Sequence, residues 1–515
     1  MPLERCTVLL VVWVLASGCA ARLPRILCTR QGGDSWHELR SAHFRVRSHL
    51  ELEESKRLVR ELEAQRRILR RYWNDTVDPP GETEVLLVRA SSTLDEFSGG
   101  RAEPHFTQFT ERGPQLVLSG ASAVPYFMKK EEFEDPLPIL RHELAHLLSH
   151  YILLRQPRWL AEGLAEYLEM ADVQEASGEV LFGMAYKDTL VYLRDAGGRV
   201  PDLESLWAWD EQSLHRREAR LYRASAWAWV HYLLNEHPER FADFQARLAR
   251  AEDPRRAWEA AFQGVEDLRN PFQNYLRRPQ LSTRAVALPP LSTEEPTVRD
   301  MGCAEVFALR GQLHLEIPGQ SPVGERVAAA AREVDRALHE DPANAEALVL
   351  KARLVPEPAQ RLDLALKLAW AHPESGQAWA LLGRALAETG ASEEDQRHAF
   401  QRAEQLAPDE AEVLGTLARF YARAGPLEKA LEAAQHAVRL SPGNPVVLDT
   451  CASVLDQLGR CPDSEVMQAR ALDLLGQGAP RELRAEYERR LTLYQERCRA
   501  GAARGAGGGR LPAEP

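Results

Sequence analysis

The sequence predicts an α+β domain followed by an all-α array of helical repeats. In residues 35–280, short runs of alternating apolar residues are mixed with longer stretches of helical periodicity. In residues 301–498, prolines recur at intervals of 31, 35 and 34 residues, each followed six positions later by Leu or Trp. At 515 residues the chain exceeds one compact core, so two or three domains are expected.

The chain begins with the features of an export signal. Arg5 precedes a mostly apolar run, residues 7–16, which is too short to span a bilayer. Residues 1–19 end in Leu-Ala-Ser-Gly-Cys, which resembles a bacterial lipobox with Cys19 as the lipidated residue, although Ala16 stands where leucine is usual. Cleavage after Ala20 is the alternative. We therefore expect an exported protein in the cell envelope, held to a membrane by a lipid anchor, or else a soluble periplasmic or secreted protein.

The net charge and the cysteines limit the kinds of partner and the disulfide bonds that we expect. The formal net charge is −12, which argues against a nucleic-acid partner. The seven cysteines lack the paired spacing of a zinc ribbon, and they do not indicate a disulfide framework. An oxidising compartment would nevertheless permit a bridge between Cys451 and Cys461.

Within the first domain, strands and helices are predicted in turn. Phe44 and Val46 alternate with charged residues, and residues 85–88 and 116–118 are short apolar runs, so each predicts a strand. Helical periodicity covers residues 52–73. The pattern becomes helical again after residue 130.

Two segments are expected to lack regular structure. Residues 281–300 contain many Pro, Ser and Thr residues without periodicity, which is typical of a linker. Residues 499–515 consist largely of Gly, Ala and Arg and predict a disordered tail.

The recurring unit in residues 301–498 resembles the tetratricopeptide repeat, a 34-residue helix-turn-helix unit. The best match runs from Leu414 to Pro442, with Tyr421 and Ala430 at the expected places. A generic bundle rich in Ala and Leu is the alternative, but it does not account for the fixed proline period. The resemblance implies an array that binds a protein partner.

One segment carries a pattern with clear chemistry. His142 and His146 are four residues apart, so on a helix both imidazoles lie on one face and can chelate one metal ion. Glu143 emerges beside that ion, where a general base for water is needed. The alternative is a helix with two unrelated histidines.

A second helix downstream can complete the site. Residues 157–168 have an apolar stripe, and Glu162 and Glu166 lie on another face. A carboxylate from a neighbouring helix is what a catalytic zinc site with two histidines still lacks.

Together these segments resemble the gluzincin metallopeptidases, and most closely the peptidase MA-like domain of bacterial envelope proteins, over roughly residues 35–280. The segment Ala161-Glu162-Gly163 matches the family context except that Ala161 replaces an asparagine. The resemblance implies a zincin-like fold and a zinc ion held by His142, His146 and Glu162. Gly163 would leave room beside the ion.

The resemblance also implies roles for other residues. Glu143 would be the general base. Tyr222 would stabilise the oxyanion, with a packed aromatic ring as the alternative. Glu166 would accept a hydrogen bond from the remaining ring nitrogen of His142. An extended peptide substrate would pair with an edge strand, for which we expect the run Gln115, Leu116, Val117, Leu118 and Ser119.

The sequence thus predicts a zinc-dependent peptidase that hydrolyses peptide bonds in the bacterial cell envelope, with repeats that bind a protein partner. The alternative is an envelope scaffold that acts through its repeats and whose zinc domain is catalytically idle.

Overall fold

The structure is a computed structural model that describes residues 26–99, 105–119, 137–174, 176–185, 187–209, 216–265, 267–288, 294–317, 321–475 and 479–507. The expected lipobox and Cys19 lie outside these residues. None of the helices described is both long and apolar enough to cross a membrane.

Nine strands occur in the described part of the chain and form two sheets. They are β1 His37–Arg40, β2 Phe44–Ser48, β3 Thr83–Val88, β4 His105–Thr110, β5 Gly113–Ser119, β6 Asp172–Gln174, β7 Glu179–Phe182, β8 Arg284–Ala287 and β9 Thr297–Asp300. The larger sheet has the order β4-β5-β3-β2-β1-β9, and the smaller one β6-β7-β8. In the larger sheet β2, β3 and β5 run parallel, while β4 is antiparallel to β5.

This strand order corrects the expected substrate strand. The residues Gln115–Ser119 belong to β5, which pairs with β3 on one side and with β4 on the other. Both of its edges are therefore used, and a peptide has no free backbone groups there to pair with. Among the described strands, the edges of this sheet are β4 and β9, and β4 is the edge that packs against α3. Apolar content predicted the strand itself, but not its position in the sheet.

Ten helices surround these sheets in the described residues before the repeats. They are α1 Leu52–Tyr72, α2 Asp95–Ser98, α3 Leu137–Ile152, α4 Arg158–Glu169, α5 Lys187–Ala196, α6 Leu203–Trp207, α7 Arg216–Glu236, α8 Pro238–Ala249, α9 Pro254–Ala261 and α10 Arg269–Leu276. One hydrophobic core joins a face of the large sheet to α1, α3, α4 and α7 through residues such as Val46, Leu62, Leu144, Leu164 and Val230. This core holds the candidate site together.

The segment 281–300 is not the unstructured linker that was expected. Strand β8 pairs with β7, and β9 pairs with β1, so the segment contributes one strand to each sheet. All four residues of β9 are exposed, so the strand carries no apolar alternation that would have marked it in the sequence.

The repeat array is all-helical. Its helices are α11 Cys303–Glu316, α12 Val323–Glu340, α13 Ala345–Leu354, α14 Pro358–Ala371, α15 Gly376–Glu388, α16 Glu393–Leu406, α17 Ala411–Ala424, α18 Leu427–Leu440, α19 Pro445–Gln457, α20 Cys461–Leu474 and α21 Arg481–Gly507. From α11 to α20 they pack in consecutive pairs. A Cβ atom at Gly383 would lie 2.7 Å from the ring of Phe400, so the glycine permits the close approach of α15 and α16. Helix α21 continues to Gly507, so the disordered tail expected from residue 499 is wrong for residues 499–507, and residues 508–515 lie outside the described residues.

The array is not separate from the first domain. Val306, Leu309 and Leu313 of α11 share a core with Leu86 and Val117 of the sheet, on the face opposite the first core. A disulfide between Cys28 and Cys303 links the two parts. A second disulfide joins Cys461 to Cys498, while Cys451 is free and buried. We expected no disulfide framework and offered Cys451–Cys461 as the alternative, and both expectations are wrong. The observed partners are far apart in the sequence, so the spacing of the cysteines did not reveal them.

Candidate metal centre

Helix α3 presents two imidazoles to one point. His142 and His146 are one turn apart, and their Nε2 atoms lie 3.1 Å from each other. The intervening Leu144, Ala145 and the following Leu147 are buried in the core. Packing of that apolar face therefore turns the two histidines toward α4.

Helix α4 brings Glu162 to the same point. Its Oε2 atom is 3.8 Å from Nε2 of His142 and 3.9 Å from Nε2 of His146. We expected Gly163 to leave room beside the ion, but its surroundings give it a different role. A Cβ atom there would lie 2.5 Å from the carbonyl oxygen of Ala226, so the glycine lets α7 pack against α4.

The three ligand atoms fit a zinc ion. In a tetrahedral site with bonds of about 2.0–2.1 Å, ligand atoms are separated by about 3.3 Å, and the observed separations are 3.1, 3.8 and 3.9 Å. Oε2 of Glu162 is buried and has no hydrogen-bond partner among the described residues. A buried carboxylate oxygen without a hydrogen-bond partner is costly, so a cation held at this point would suit the residues present.

The surroundings set the protonation of two of these groups. Burial raises the pKa of Glu162, but Arg223, the two histidines and Arg158 outweigh it and hold that pKa at about 2. Burial lowers the pKa of His146 to about 3. Both side chains are therefore deprotonated at neutral pH, which is the form that binds a metal.

His142 differs because of its second ring nitrogen. Its Nδ1 is 2.8 Å from Oε2 of Glu169. Burial lowers the pKa of His142, but Glu169, Glu143 and Glu162 outweigh it and raise that pKa to about 9. A metal ion must therefore displace a proton from Nε2, while the proton on Nδ1 stays hydrogen-bonded to Glu169.

The hydrogen bond expected for Glu166 is therefore made by Glu169 instead. Glu169 lies seven residues after Glu162, two turns along the same helix face, and its length lets it reach Nδ1. Burial and the adjacent charge of Glu169 raise the pKa of Glu166 to about 8, so Glu166 retains a proton at neutral pH. The sequence shows that Glu166 and Glu169 follow Glu162 by four and seven residues, so both lie on its helix face. Which of the two reaches His142 depends on how α3 crosses α4.

Glu143 projects from α3 toward β4. Its Oε2 accepts a hydrogen bond from Oγ1 of Thr107 at 2.7 Å, and its Oε1 lies 3.9 Å from Nε2 of His105. Burial raises the pKa of Glu143, and His142 and the Thr107 hydrogen bond oppose that rise. Nothing in the sequence marked His105 or Thr107, because their relevance depends on the edge position of β4.

Tyr222 lies in α7, one residue before a cation of the site. Its ring packs against Trp209, with 5.7 Å between ring centroids. The next residue of α7, Arg223, has its Nε 4.0 Å from Oε2 of Glu162. The oxyanion role of Tyr222 stays a prediction, and Arg223 is a cation of the site that the sequence did not single out.

Fold and site thus define an α+β domain that carries a buried His-His-Glu cluster and is joined to a helical-repeat array. A family model described as "Protein of unknown function (DUF1570)" matches residues 121–254, which include α3, α4 and all of α7. No curated protein matches the chain.

Solved structures of tetratricopeptide-repeat (TPR) proteins are similar to the chain. TTC0263, a thermophilic TPR protein of Thermus thermophilus, is 22% identical, with 37% of this chain and 99% of that one covered and a TM-score of 0.30. YrrB, a TPR protein with an unusual peptide-binding site, is 18% identical, with 33% and 86% covered and a TM-score of 0.23.

Proposed function

We propose that this protein is a zinc-dependent peptidase of the gluzincin type. The observation that carries the proposal is the convergence of His142, His146 and Glu162, with Glu143 next to them. Oε2 of Glu162 has no hydrogen-bond partner among the described residues. A purely structural zinc site has four protein ligands and needs no adjacent base. Three ligands and a carboxylate are the composition of a hydrolytic site.

A bound zinc ion would act as a Lewis acid that polarises a carbonyl and makes a water more acidic. The residues of the chain supply the other elements of hydrolysis. Glu143 takes one proton from the water, whose oxygen forms a bond to the carbonyl carbon. The C–N bond then breaks, and Glu143 delivers that proton to the leaving nitrogen. Glu169 holds the ring of His142 in one tautomer throughout.

The site of action proposed is the bacterial cell envelope, with a lipid anchor at Cys19. Two disulfides support export, since such bonds persist in oxidising compartments. Replacing Cys19 with serine should move the protein from the membrane fraction to the soluble periplasmic fraction. An unchanged membrane fraction would argue against the anchor.

The repeats are proposed to bind a protein partner. Part of their surface already contacts the first domain, since Ser441 donates a hydrogen bond to the carbonyl of Thr110, and Asn444 donates one to that of Phe109. A scaffold whose zinc domain is catalytically idle would also need a protein partner for its repeats. It would not need Glu143 as a general base.

The test is a matched pair of variants in the full mature chain. Glu143→Gln keeps the size of the side chain and removes its basicity. We expect zinc to stay bound, while hydrolysis of an unfolded protein substrate falls by about 10²–10⁴-fold. Glu166→Gln is the control, because that carboxyl already holds a proton at neutral pH. The proposal would be refuted if both variants and the wild type hydrolysed the substrate at the same rate and that rate did not depend on zinc.

A further inference from the structure

Strand β4 places every second side chain against α3, the helix of the two histidines. The three residues are His105, Thr107 and Phe109, as the two-residue period of a strand requires. The ring of Phe109 packs against His150, with 5.0 Å between centroids. The other two residues face Glu143.

Thr107 holds one oxygen of that glutamate. Its Oγ1 lies 2.7 Å from Oε2 of Glu143 and 2.9 Å from the carbonyl oxygen of the same residue. Glu143 is only 3% exposed, so solvent does not compete for this hydrogen bond. With Oε2 held, the direction of Oε1 is set, and Oε1 is the oxygen left free to accept a proton.

His105 lies opposite that free oxygen. Its Nε2 is 3.9 Å from Oε1 of Glu143, too long for a direct hydrogen bond. An oxygen atom at about 2.8 Å from both atoms would make an angle of roughly 90° between them, so one water can bridge the gap. The ring of His105 is also 6.5 Å from the ring of His142, which places this gap beside the metal ligands.

The environment of His105 selects its tautomer. Its Nδ1 is buried and has no partner in the described part of the chain. A buried N–H without an acceptor is rarer than a buried acceptor without a donor, so the proton belongs on Nε2. The charged groups that face the ring are Glu162 and Arg223, besides His142.

We propose that β4 supplies two groups to the hydrolytic centre: the hydroxyl of Thr107 positions Glu143, and Nε2–H of His105 donates to the water that Glu143 deprotonates. The proposal rests on the proposed peptidase function. The water gives one proton to Oε1, and its oxygen bonds to the carbonyl carbon. The C–N bond then breaks, and Oε1 returns that proton to the leaving nitrogen, while His105 keeps its own proton.

The role of Thr107 is tested by an isosteric pair. Thr107→Val removes the hydroxyl without changing the shape, and Thr107→Ser restores it. Because Thr107 donates a hydrogen bond to a charged group, we expect kcat to fall by about 10- to 100-fold in the valine variant. KM and zinc content should be unchanged. The serine variant should recover most of that loss.

The control for this pair is Thr110→Val on the same strand. The hydroxyl of Thr110 bonds within the hairpin turn, to the carbonyl of Gly113, so its removal should leave kcat unchanged. Wild-type kcat in Thr107→Val, or a kcat loss in Thr107→Ser as large as in the valine variant, would overturn the positioning role.

The role of His105 is tested by His105→Phe and His105→Gln. Phenylalanine removes the donor, whereas the amide of glutamine keeps an N–H near the place of Nε2. We expect kcat to fall by about 10- to 100-fold in the first variant, with zinc retained, and to recover in part in the second. Equal losses in both variants would overturn the donor role.

A measurement without substrate separates this proposal from the function on which it rests. In zinc-loaded protein with ¹⁵N-labelled histidine, the His105 resonances are identified by their loss in His105→Gln. They should report the Nε2–H tautomer and shift in Glu143→Gln but not in Thr110→Val. A different tautomer, or resonances indifferent to Glu143→Gln, would overturn the role of His105. Absence of hydrolysis by the wild type, with those resonances as expected, would instead refute the peptidase.

Discussion

The ligand set around the candidate zinc ion gives the sharpest prediction, because three glutamates of α4 face the histidines and only one is assigned as a ligand. Glu162, Glu166 and Glu169 lie on the same helix face. Oε2 of Glu162 is within 3.8–3.9 Å of both Nε2 atoms, whereas Glu169 reaches Nδ1 of His142. Alanine at each position should therefore weaken zinc binding to a different extent.

The magnitudes follow from the contacts. Glu162→Ala removes one of three protein ligands and should abolish stoichiometric zinc binding. Glu169→Ala removes a charge-assisted hydrogen bond between two side chains that are each 8% exposed. Such a bond contributes about 1.5–3 kcal/mol, which corresponds to a zinc dissociation constant about 10- to 100-fold higher. Glu166→Ala removes a carboxyl that is already protonated at neutral pH and should cost less than Glu169→Ala.

The assay is competition for zinc against a chromophoric chelator, with the melting temperature of each metal-free variant as a control for folding. The order expected is Glu162→Ala, then Glu169→Ala, then Glu166→Ala, from most to least severe. Stoichiometric zinc in folded Glu162→Ala, or a larger loss for Glu166→Ala than for Glu169→Ala, would refute the ligand assignment made from these distances.

Three further predictions concern the oxyanion role of Tyr222, the ion pairs of Glu38 and the disulfide between Cys28 and Cys303. Tyr222→Phe keeps the ring on Trp209, so an oxyanion role predicts that kcat falls by about 10²–10³-fold with zinc bound, and an unchanged kcat would reject that role. Burial raises the pKa of Glu38, but Arg45 and Arg299 outweigh it and hold it at about 2, below the ordinary 4.5. These ion pairs therefore stabilise the fold above about pH 4.5 by about 3 kcal/mol, and their contribution is lost as the pH falls toward 2. Urea unfolding should show Glu38→Gln less stable at pH 7 and the deficit shrinking at pH 3, with exposed Glu53→Gln as the control; a deficit independent of pH would contradict this. Replacing Cys28 and Cys303 with serine should lower the free energy of unfolding by about 2–5 kcal/mol, and equal stability by the same method would contradict it.

Local spacing determined several features of the chain. The recurrent prolines and small residues predicted a helical array, because each repeat is built from contacts within about 34 residues. The four-residue spacing of His142 and His146 placed both imidazoles on one side of a helix, because helical geometry alone sets that relation. The neighbourhood of Glu162 pointed to a second helix with a carboxylate.

Only the tertiary structure decided which groups meet across elements. The strand order made β4 rather than β5 the edge, and it thereby brought His105 and Thr107 to Glu143. The crossing of α3 and α4 chose Glu169 over Glu166 for Nδ1 of His142. The segment 281–300 became two strands because partners were present at sheet edges, although its own residues carry no strand pattern. Local periodicity reports what one element can form, whereas these contacts depend on how elements distant in sequence pack against each other.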